Sequence, residues 1–544
     1  MKLLETLDWA LIIGYFALVF GVAYWATRRE ATRETSAGYF LGGRNVGWFI
    51  IGASLFASNI GSEHLVGLAG TGAASGVAVG QFEILASLIL LLLGWVFVPF
   101  YLKSGVFTMP EFLERRYSSG ARWYLAVISI VGYVLTKISV TIAAGGIVFE
   151  SIMGINFWTG ALVVVVATGI YTIFGGLRAV LYTDMIQMFV LVGGALLVTG
   201  IGLSELGGWS ALRASVDSSF FDMWQPASHP DFPWTGILFG APILGVWYWC
   251  TDQFIVQRVL SAPNEDQARR GTIFGGLLKV LPLFIFVIPG VIAYALSQKG
   301  VLELAKPDEA LPTMIAVLLP VGVRGLVVAG LLAALMSSLS SVFNSCSTLI
   351  TWDIYRKLHP GASEKQLVRV GQIATAVLVG FGLAWIPMMK FLSGQLYVYL
   401  QSVQAYISPP IAAVFLVGVL WKRVNAQGAI ASLCTGFVLG MGRLIAEINK
   451  DGLEGWLLSV VEINFLHFAI LLFGICSAVL VIVSLLTPEP ARGQLAGLTF
   501  ATASEASASD PGMAPSDPAW KRRDFWFSVG LALCVAAVWI YFRG

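Results

Sequence analysis

The residues of this sequence with the most evident chemistry are four charged side chains inside long apolar runs: Glu83, Lys137, Asp184 and Lys279. A charge placed in hydrocarbon costs at least about 2.5–3.5 kcal/mol, so a charge in a membrane-spanning run faces a cavity or a partner inside the protein. A carboxylate and an ammonium group together accept and donate hydrogen bonds, as a neutral, polyhydroxylated ligand requires. A structural ion pair inside a helix bundle is an equally good interpretation of each charge taken alone.

Two clusters of uncharged polar residues point to a cation. The apolar run 52–76 is interrupted at Ser58, Asn59 and His64, next to a glycine. Broken helices of this kind expose carbonyl groups that coordinate a cation and a substrate. The second cluster is the group of serines in LLAALMSSLSSVFNSCSTL. Hydroxyl and carbonyl oxygens are the hard ligands that sodium prefers, although small polar residues also serve to hold membrane helices together.

The composition indicates the scaffold that holds these residues. Of the 544 residues, 57% are hydrophobic and 12% are charged, whereas soluble proteins are about 45–50% apolar and about 25% charged. A soluble or disordered chain is thereby excluded, and a polytopic α-helical membrane protein is favoured. The net charge of +2 gives no sign of nucleic-acid binding. The five cysteines all lie in apolar runs, which argues against disulfide bonds.

Apolar runs predict fourteen membrane spans, at about 6–27, 45–73, 77–102, 121–152, 156–173, 179–203, 235–257, 271–297, 325–355, 367–389, 392–421, 427–449, 457–486 and 524–542. Cytoplasmic loops are enriched in Lys and Arg. The distribution of these residues predicts that both termini are extracytoplasmic, with Arg44, Arg115 and Arg258 among the cytoplasmic loop residues. The chain has four scattered histidines and no room for a catalytic domain, so an enzyme is not expected.

Six blocks of the sequence resemble the sodium/solute symporter family, most closely its sodium/glucose cotransporter branch. They are, in order, GASLFASNIGSEHLVGLAGTGAASG, TMPEFLERRY, GGLRAVLYTDMIQ, WYWCTDQFIVQRVLSA, LAALMSSLSSVFNS and SPPIAAVFLVGVLWKRVN. The resemblance covers about residues 6–440. It implies an all-α, leucine-transporter-like fold in which two inverted five-helix repeats enclose a binding site halfway across the membrane.

On this basis we expect a fixed order of segments. They are an extra N-terminal helix with a cytoplasmic loop (1–44), the first repeat (45–203), an extracellular loop (204–234), the second repeat (235–423), two additional helices (424–486), a flexible cytoplasmic linker (487–522) and the last helix (523–544). The first helix of each repeat is broken in such a fold. The interruption at Asn59–His64 matches the first break, and we expect the second near Tyr248–Asp252.

The resemblance also implies roles for individual residues. The sugar contacts of the family correspond here to Asn59, His64, Glu83, Trp249, Lys279 and Gln401. The aromatic gates correspond to Phe82, Tyr248 and Tyr397, although each ring taken alone could simply fill the core. The sodium site corresponds to the carbonyls of Ala57, Ile60 and Ala334 and the hydroxyls of Ser337 and Ser338. A second sodium site, used by some members, would be built from Asp184, Ser338, Ser340 and Ser341.

The predicted function is Na⁺-coupled symport of a neutral, glucose- or galactose-like hexose by alternating access across the plasma (inner) membrane. Sodium is the expected coupling ion, and no obligatory protein partner is expected. Val398 and Thr141 stand where mammalian glucose cotransporters carry acids, and Ala86 and Gly245 replace residues that are polar in some sugar-transporting members. These departures leave myo-inositol or another polyol as the alternative substrate. An amino acid or an organic anion fits less well.

Overall fold

The computed structural model describes residues 4–28, 35–385, 396–500, 502 and 523–543. Over these ranges the regular structure is helical, and paired extended backbone is limited to an isolated bridge between Asp222 and Arg543. The prediction of an all-α protein is thus confirmed. Most of the predicted linker 487–522 lies outside the described residues, as does the junction between the spans predicted at 367–389 and 392–421.

The helices follow one another along the chain with short connections. The α-helices are Thr6–Arg28, Ser36–Leu41, Trp48–Asn59, Ser62–Ser75, Gln81–Leu92, Val98–Ser104, Met109–Arg116, Ser119–Gly132, Ser139–Ser151, Phe157–Leu206, Trp209–Ser215, Trp234–Phe239, Ala241–Gly245, Gln253–Val259, Glu265–Leu278, Ile288–Gln298, Ala310–Leu318, Val323–Thr348, Arg356–Leu358, Glu364–Trp385, Leu396–Leu420, Ala426–Ile448, Gly455–Glu462, Phe465–Leu486 and Arg523–Tyr541. Turns of π-helix join several of them, at Leu93–Phe97, Tyr133–Ile138, Val246–Thr251, Leu283–Val287 and Leu349–Tyr355. Such turns are rare and occur often at functional sites.

Ten helices within the described ranges are long and apolar enough to cross a membrane, which makes the chain a multi-pass membrane protein. The number is smaller than the fourteen predicted spans, and that count stays a prediction. Some of the predicted spans lie in one continuous helix or in short pieces of a broken one. The helix Phe157–Leu206 has 50 residues and contains two predicted spans, 156–173 and 179–203. It bends at Gly176, whose φ of +57° disfavours any residue with a Cβ, and a Cβ there would meet the Tyr39 carbonyl oxygen at 2.5 Å.

The two helix breaks expected from the sequence are confirmed. The helix Trp48–Asn59 ends before Ile60 and Gly61, whose backbone is not helical, and a new helix begins at Ser62. The second break lies at Asp252, where a φ of −79° and a ψ of 128° separate a π turn from the helix Gln253–Val259. We refer to residues 48–75 as the first broken helix and to residues 234–259 as the second broken helix.

The helix Val323–Thr348 carries the serine cluster and is called the serine helix below. Every residue from Val327 to Thr348 is buried. The serine helix packs against the helix Phe157–Leu206, the N-terminal helix and the first broken helix. Small residues allow this close approach: at Gly330 a Cβ would lie 3.3 Å from the Val190 carbonyl oxygen. The serines are therefore held in the centre of the helix bundle, beside the first break.

Candidate substrate and cation sites

All nine residues predicted to contact or gate the sugar line one cavity between the broken helices and their neighbours. The cavity holds about 580 Å³ of empty space, its opening included. The nine are Asn59, His64, Phe82, Glu83, Tyr248, Trp249, Lys279, Tyr397 and Gln401. They come from distant parts of the sequence, so it is the fold that brings them together.

The polar part of this cavity is centred on the Lys279 ammonium group. The ammonium donates to a Glu83 carboxylate oxygen and to the Asn59 side-chain oxygen, and it lies 5.5 Å from the centre of the Trp249 ring. His64 Nε2 lies 3.9 Å from the other Glu83 oxygen. The Lys279 side chain is 1% exposed and the Glu83 side chain 4%. Pairing offsets the desolvation of two buried charges. Because the same pair also lines the cavity, a structural role and a ligand-binding role are compatible.

Phe82 belongs to an aromatic group on one side of the cavity. Its ring centre lies 6.1 Å from that of Tyr397, 6.2 Å from Phe232 and 6.5 Å from Phe465. Gln401 Nε2 donates to the Tyr397 hydroxyl at 2.9 Å. Phe232 and Phe465 were not predicted, and the sequence gives no signal for them, because their contact with Phe82 joins a loop and a helix far along the chain. These aromatic rings lie on the side of the cavity next to the loop that carries Phe232.

Tyr248 belongs to a second group, beside the break at Asp252. Its hydroxyl accepts from Asn59 Nδ2 at 3.0 Å and from Lys137 Nζ at 2.8 Å. Its ring centre lies 6.2 Å from that of Phe254. Lys137 also lines the cavity. The sequence marked Lys137 as a charge inside an apolar run but offered no partner for it, and the structure gives it Tyr248.

Three of the five residues predicted for the sodium site, Ala57, Ser337 and Ser338, lie where the serine helix contacts the end of the helix Trp48–Asn59. Ser337 Oγ donates to the Ala57 carbonyl oxygen at 2.6 Å, and Ser338 Oγ donates to the Ser58 carbonyl oxygen at 3.2 Å. The other two predicted residues are also buried: Ile60 lies in the first break, and Ala334 lies one helical turn before Ser337 and Ser338. The last carbonyls of a helix that ends have no intrahelical partner. The set of carbonyl and hydroxyl oxygens fits a hard cation such as sodium.

Three of the four residues predicted for a second sodium site, Asp184, Ser338 and Ser341, form hydrogen bonds with Ser58. Asp184 Oδ2 accepts from Ser54 Oγ at 2.6 Å and from Ser58 Oγ at 2.9 Å. Ser341 Oγ donates to Ser58 Oγ at 3.0 Å, and Arg258 donates to Ser341. Ser340, by contrast, donates to the Ser337 carbonyl of its own helix at 3.0 Å.

The prediction of Arg258 as a cytoplasmic loop residue is wrong. Its side chain is 0% exposed, and Nη2 lies 3.8 Å from Asp184 Oδ2. Arginine is almost never fully buried unless it is paired, and the sequence does not reveal a partner that lies in another helix. The buried guanidinium reduces the net negative charge that Asp184 offers to a cation.

A membrane-embedded bundle with two broken helices around a buried polar cavity defines a secondary transporter. Residues 39–436 match the model of the family described as "Sodium:solute symporter family". The chain belongs to this family, which consists of transporters and not of enzymes.

Relatives agree with this assignment, and a solved structure has a similar fold. Sodium/glucose cotransporter 1 of Oryctolagus cuniculus is 41% identical over 525 residues, covering 88% of this chain and 79% of the relative. The sodium/myo-inositol cotransporter of Homo sapiens is 39% identical over 547 residues, covering 91% and 76%. The fold is similar to that of a Na⁺-coupled sialic acid symporter solved in a substrate-bound, outward-open state, with a TM-score of 0.77 at 23% identity over 89% of this chain and 99% of that one. The resemblance to the family and to its sodium/glucose cotransporter branch is confirmed.

Proposed function

We propose that this protein is a secondary active symporter that couples the entry of a neutral hexose, such as glucose or galactose, to the entry of Na⁺. The observation that carries the proposal is the cavity in which Lys279, Glu83 and Asn59 meet. Two relatives named as sodium/glucose cotransporters, 41% and 40% identical, support the same class of substrate.

The lining of the cavity suits a ligand rich in hydroxyl groups. Glu83 accepts hydrogen bonds, Lys279 donates them, and the amides of Asn59 and Gln401 do both. The Trp249 ring offers an apolar face for the carbon skeleton of a sugar. A hydroxyl group can take over contacts that these polar groups otherwise make with one another. An anion is disfavoured, because the Lys279 charge already faces the Glu83 carboxylate.

Sodium and sugar are coupled through the first broken helix. In our proposal Na⁺ is held by the carbonyls of Ala57, Ile60 and Ala334 and the hydroxyls of Ser337 and Ser338. The Ser337 contact with the Ala57 carbonyl ties the serine helix to the broken helix two residues before Asn59. A cation at this point stabilises the break in the geometry that presents Asn59 and His64 to the sugar. Its release loosens the same geometry.

A second Na⁺ would bind at Asp184, with Ser338, Ser340 and Ser341, in competition with Arg258 for the carboxylate. Calorimetric counting of bound Na⁺ in the wild type and in Asp184→Asn tests this part of the proposal. One ion fewer in the variant supports a second site. The same count in both contradicts it.

We propose fourteen membrane-spanning segments in the predicted ranges, with two inverted five-helix repeats at 45–203 and 235–423 in a leucine-transporter-like fold. In support, each range contains a helix, whole or in pieces, as far as it is described, and each repeat begins with a broken helix. We also propose the predicted roles for the segments outside the repeats, which are 1–44, 204–234, 424–486, 487–522 and 523–544.

Both termini are proposed to be extracytoplasmic, in the plasma (inner) membrane. The Met223 amide donates to the Phe542 carbonyl at 2.9 Å, which sets the end of the chain beside the proposed extracellular loop. At the other end, Asp8 accepts from the Gly322 amide at 2.7 Å, in another loop assigned to that side. On the proposed cytoplasmic side, Arg44 donates to the Gly105 carbonyl at 3.0 Å. An even number of spans agrees with this arrangement.

A second candidate substrate is myo-inositol or another cyclic polyol. The human sodium/myo-inositol cotransporter is 39% identical to this chain. Ala86 and Gly245, which replace polar residues of some sugar-transporting relatives, both line the cavity. Their apolar surface makes no hydrogen bond that would distinguish one polyhydroxylated ring from another.

Uptake into proteoliposomes tests the substrate. Purified protein is offered glucose, galactose, mannose, fructose and myo-inositol, each with an inward Na⁺ gradient and with an equal choline gradient. We expect Na⁺-dependent uptake of a hexose that is impaired by Gln401→Ala. The control is Gln187→Ala. Gln187 is a buried glutamine whose Nε2 donates to the Tyr15 hydroxyl at 3.2 Å, and it does not line the cavity. Uptake of myo-inositol alone selects the second candidate, and no Na⁺-dependent uptake of any of the five contradicts the proposal.

A further inference from the structure

The last helix, Arg523–Tyr541, and the helix Glu265–Leu278 enclose a groove that the proposed transport cycle does not use. The groove holds about 990 Å³ of empty space, its open side included. Its walls are mainly apolar and include Phe274, Leu277 and Phe527. Leu277 is 51% exposed and Phe527 64%. In a membrane-spanning chain this face borders lipid.

One end of the groove carries a positioned positive charge. Arg270 lines the groove, and its side chain is 44% exposed. Its Nε atom donates to Asp524 Oδ1 at 2.9 Å, and Asp524 is only 4% exposed. Among the described residues, the Arg270 side chain makes this one hydrogen bond. The carboxylate therefore fixes the orientation of the guanidinium plane and leaves its two terminal nitrogens for a planar or tetrahedral oxyanion.

The residues around Arg270 mark the level of the lipid headgroups. Trp48 and Trp526 line the groove at the ends of their helices, and tryptophan is enriched at membrane–water interfaces. The Trp48 backbone amide donates to Gln267 Oε1 at 2.9 Å, which ties the start of this helix to the helix of Arg270. One helical turn beyond Arg270 the lining turns apolar, at Ile273 and Phe274. The groove thus changes from charged to apolar along its length, as an amphiphile does.

We propose that the groove is a binding site for an anionic phospholipid. The headgroup phosphate contacts Arg270, with Arg523 exposed nearby at the start of the last helix. One acyl chain lies along Phe274, Leu277 and Phe527. Basic pockets between membrane helices on the cytoplasmic side are known to bind anionic headgroups. We favour a lipid over a protein helix for two reasons. The Arg270 guanidinium is oriented at the membrane interface, and the lining of the groove changes from polar to apolar along its length.

The site has a direct connection to transport. Lys279 follows Arg270 by nine residues, which is about 13 Å along a helix. A lipid in the groove binds both the last helix and the helix that leads to Lys279, so it restrains the position of the substrate-binding ammonium. We expect the uptake rate to depend on the anionic lipid content of the membrane.

Native mass spectrometry of the full-length protein tests the site. The protein is reconstituted in nanodiscs of phosphatidylcholine with a minor fraction of phosphatidylglycerol, and retained lipid is counted. Arg270→Gln is expected to reduce retained phosphatidylglycerol about tenfold, the effect of losing one hydrogen bond between charged groups. The matched control is Arg115→Gln, which removes an arginine that is 43% exposed and also paired with a carboxylate. It is expected to retain phosphatidylglycerol as the wild type does.

A second variant tests the groove without touching the ion pair. Gly530 lines the groove, and a Cβ there would meet nothing within 4 Å, so Gly530→Leu extends a side chain into the groove from an open position. We expect it to lose phosphatidylglycerol, while Gly474→Leu, at an equally open glycine in another membrane helix, does not. Retention unchanged in both Arg270→Gln and Gly530→Leu overturns the proposal. Equal loss in the test and control variants overturns it too, as does equal loss of phosphatidylcholine and phosphatidylglycerol. Co-purification of a protein with the wild type that Gly530→Leu releases would assign the groove to a helix instead.

Discussion

The Glu83–Lys279 pair allows its structural role to be separated from its role in substrate binding. Lys279→Met leaves the Glu83 carboxylate buried without its ammonium partner, and Glu83→Gln leaves the ammonium without its carboxylate. Removing one partner of a buried pair costs about 3–5 kcal/mol, whereas removing both is often close to neutral. Each single variant is therefore expected to unfold at a clearly lower temperature than the wild type. The double variant is expected to recover most of the loss.

The affinity for sugar is expected to follow a different order. A hydrogen bond from a substrate hydroxyl to a charged group contributes about 1.5–3 kcal/mol. At about 1.4 kcal/mol per factor of ten, its loss raises KM by roughly 12- to 140-fold. The double variant makes neither charged contact, so its KM rises at least tenfold although its stability is restored.

The assay combines thermal unfolding in detergent with initial rates of Na⁺-driven uptake as a function of sugar concentration. Arg443→Met is the control, because this buried guanidinium donates to the Ile463 carbonyl at 2.9 Å and does not line the cavity. It is expected to lower the unfolding temperature and leave KM unchanged. A double variant with the stability and the KM of the wild type would refute the substrate role of the pair.

Three further substitutions test the neighbouring contacts. Ser338→Ala is expected to raise the Na⁺ concentration for half-maximal uptake about tenfold. In the control Ser345→Ala, which removes a hydroxyl that donates along its own helix, this concentration is unchanged, and equal Na⁺ dependence of the two variants contradicts the site. Tyr248→Phe removes the hydroxyl that accepts from Asn59 and is expected to raise the KM for sugar uptake severalfold. An unaltered KM argues against Tyr248 as a gate of the sugar site. Asp184→Asn leaves a guanidinium buried without its carboxylate and is expected to destabilise the protein by about 3–5 kcal/mol, so an unchanged denaturation curve rejects the pair.

Much of the fold follows from the sequence because membrane insertion has simple rules. The first break was predictable, since Ser58, Asn59 and His64 cannot continue an apolar run without a polar environment. The described residues contain ten helices long and apolar enough to cross a membrane, so the count of fourteen spans stays a prediction. The helix Phe157–Leu206 continues through the bend at Gly176, so two predicted spans become one long helix.

The site residues that sequence reasoning missed depend on contacts between distant elements. Lys137 was visible as an intramembrane charge, but its partner Tyr248 lies 111 residues further on. The sequence predicts a loop at Arg258 because this residue follows an apolar run, whereas its burial depends on Asp184 in another helix. The contact of Phe82 with Phe232 has no local signal, because an aromatic residue in a loop is compatible with many positions.

The central claim is that a Na⁺ gradient drives the uptake of a neutral sugar against its own gradient. One Na⁺ moving through about 100 mV supplies about 2.3 kcal/mol, and a tenfold Na⁺ gradient supplies about 1.4 kcal/mol more. Together they sustain a sugar gradient of up to several hundredfold per ion. The decisive measurement is the internal concentration of labelled sugar in proteoliposomes under these two driving forces. We predict accumulation well above the external concentration, which collapses when a Na⁺ ionophore is added. An internal concentration that only equals the external one, with or without Na⁺, would contradict the account.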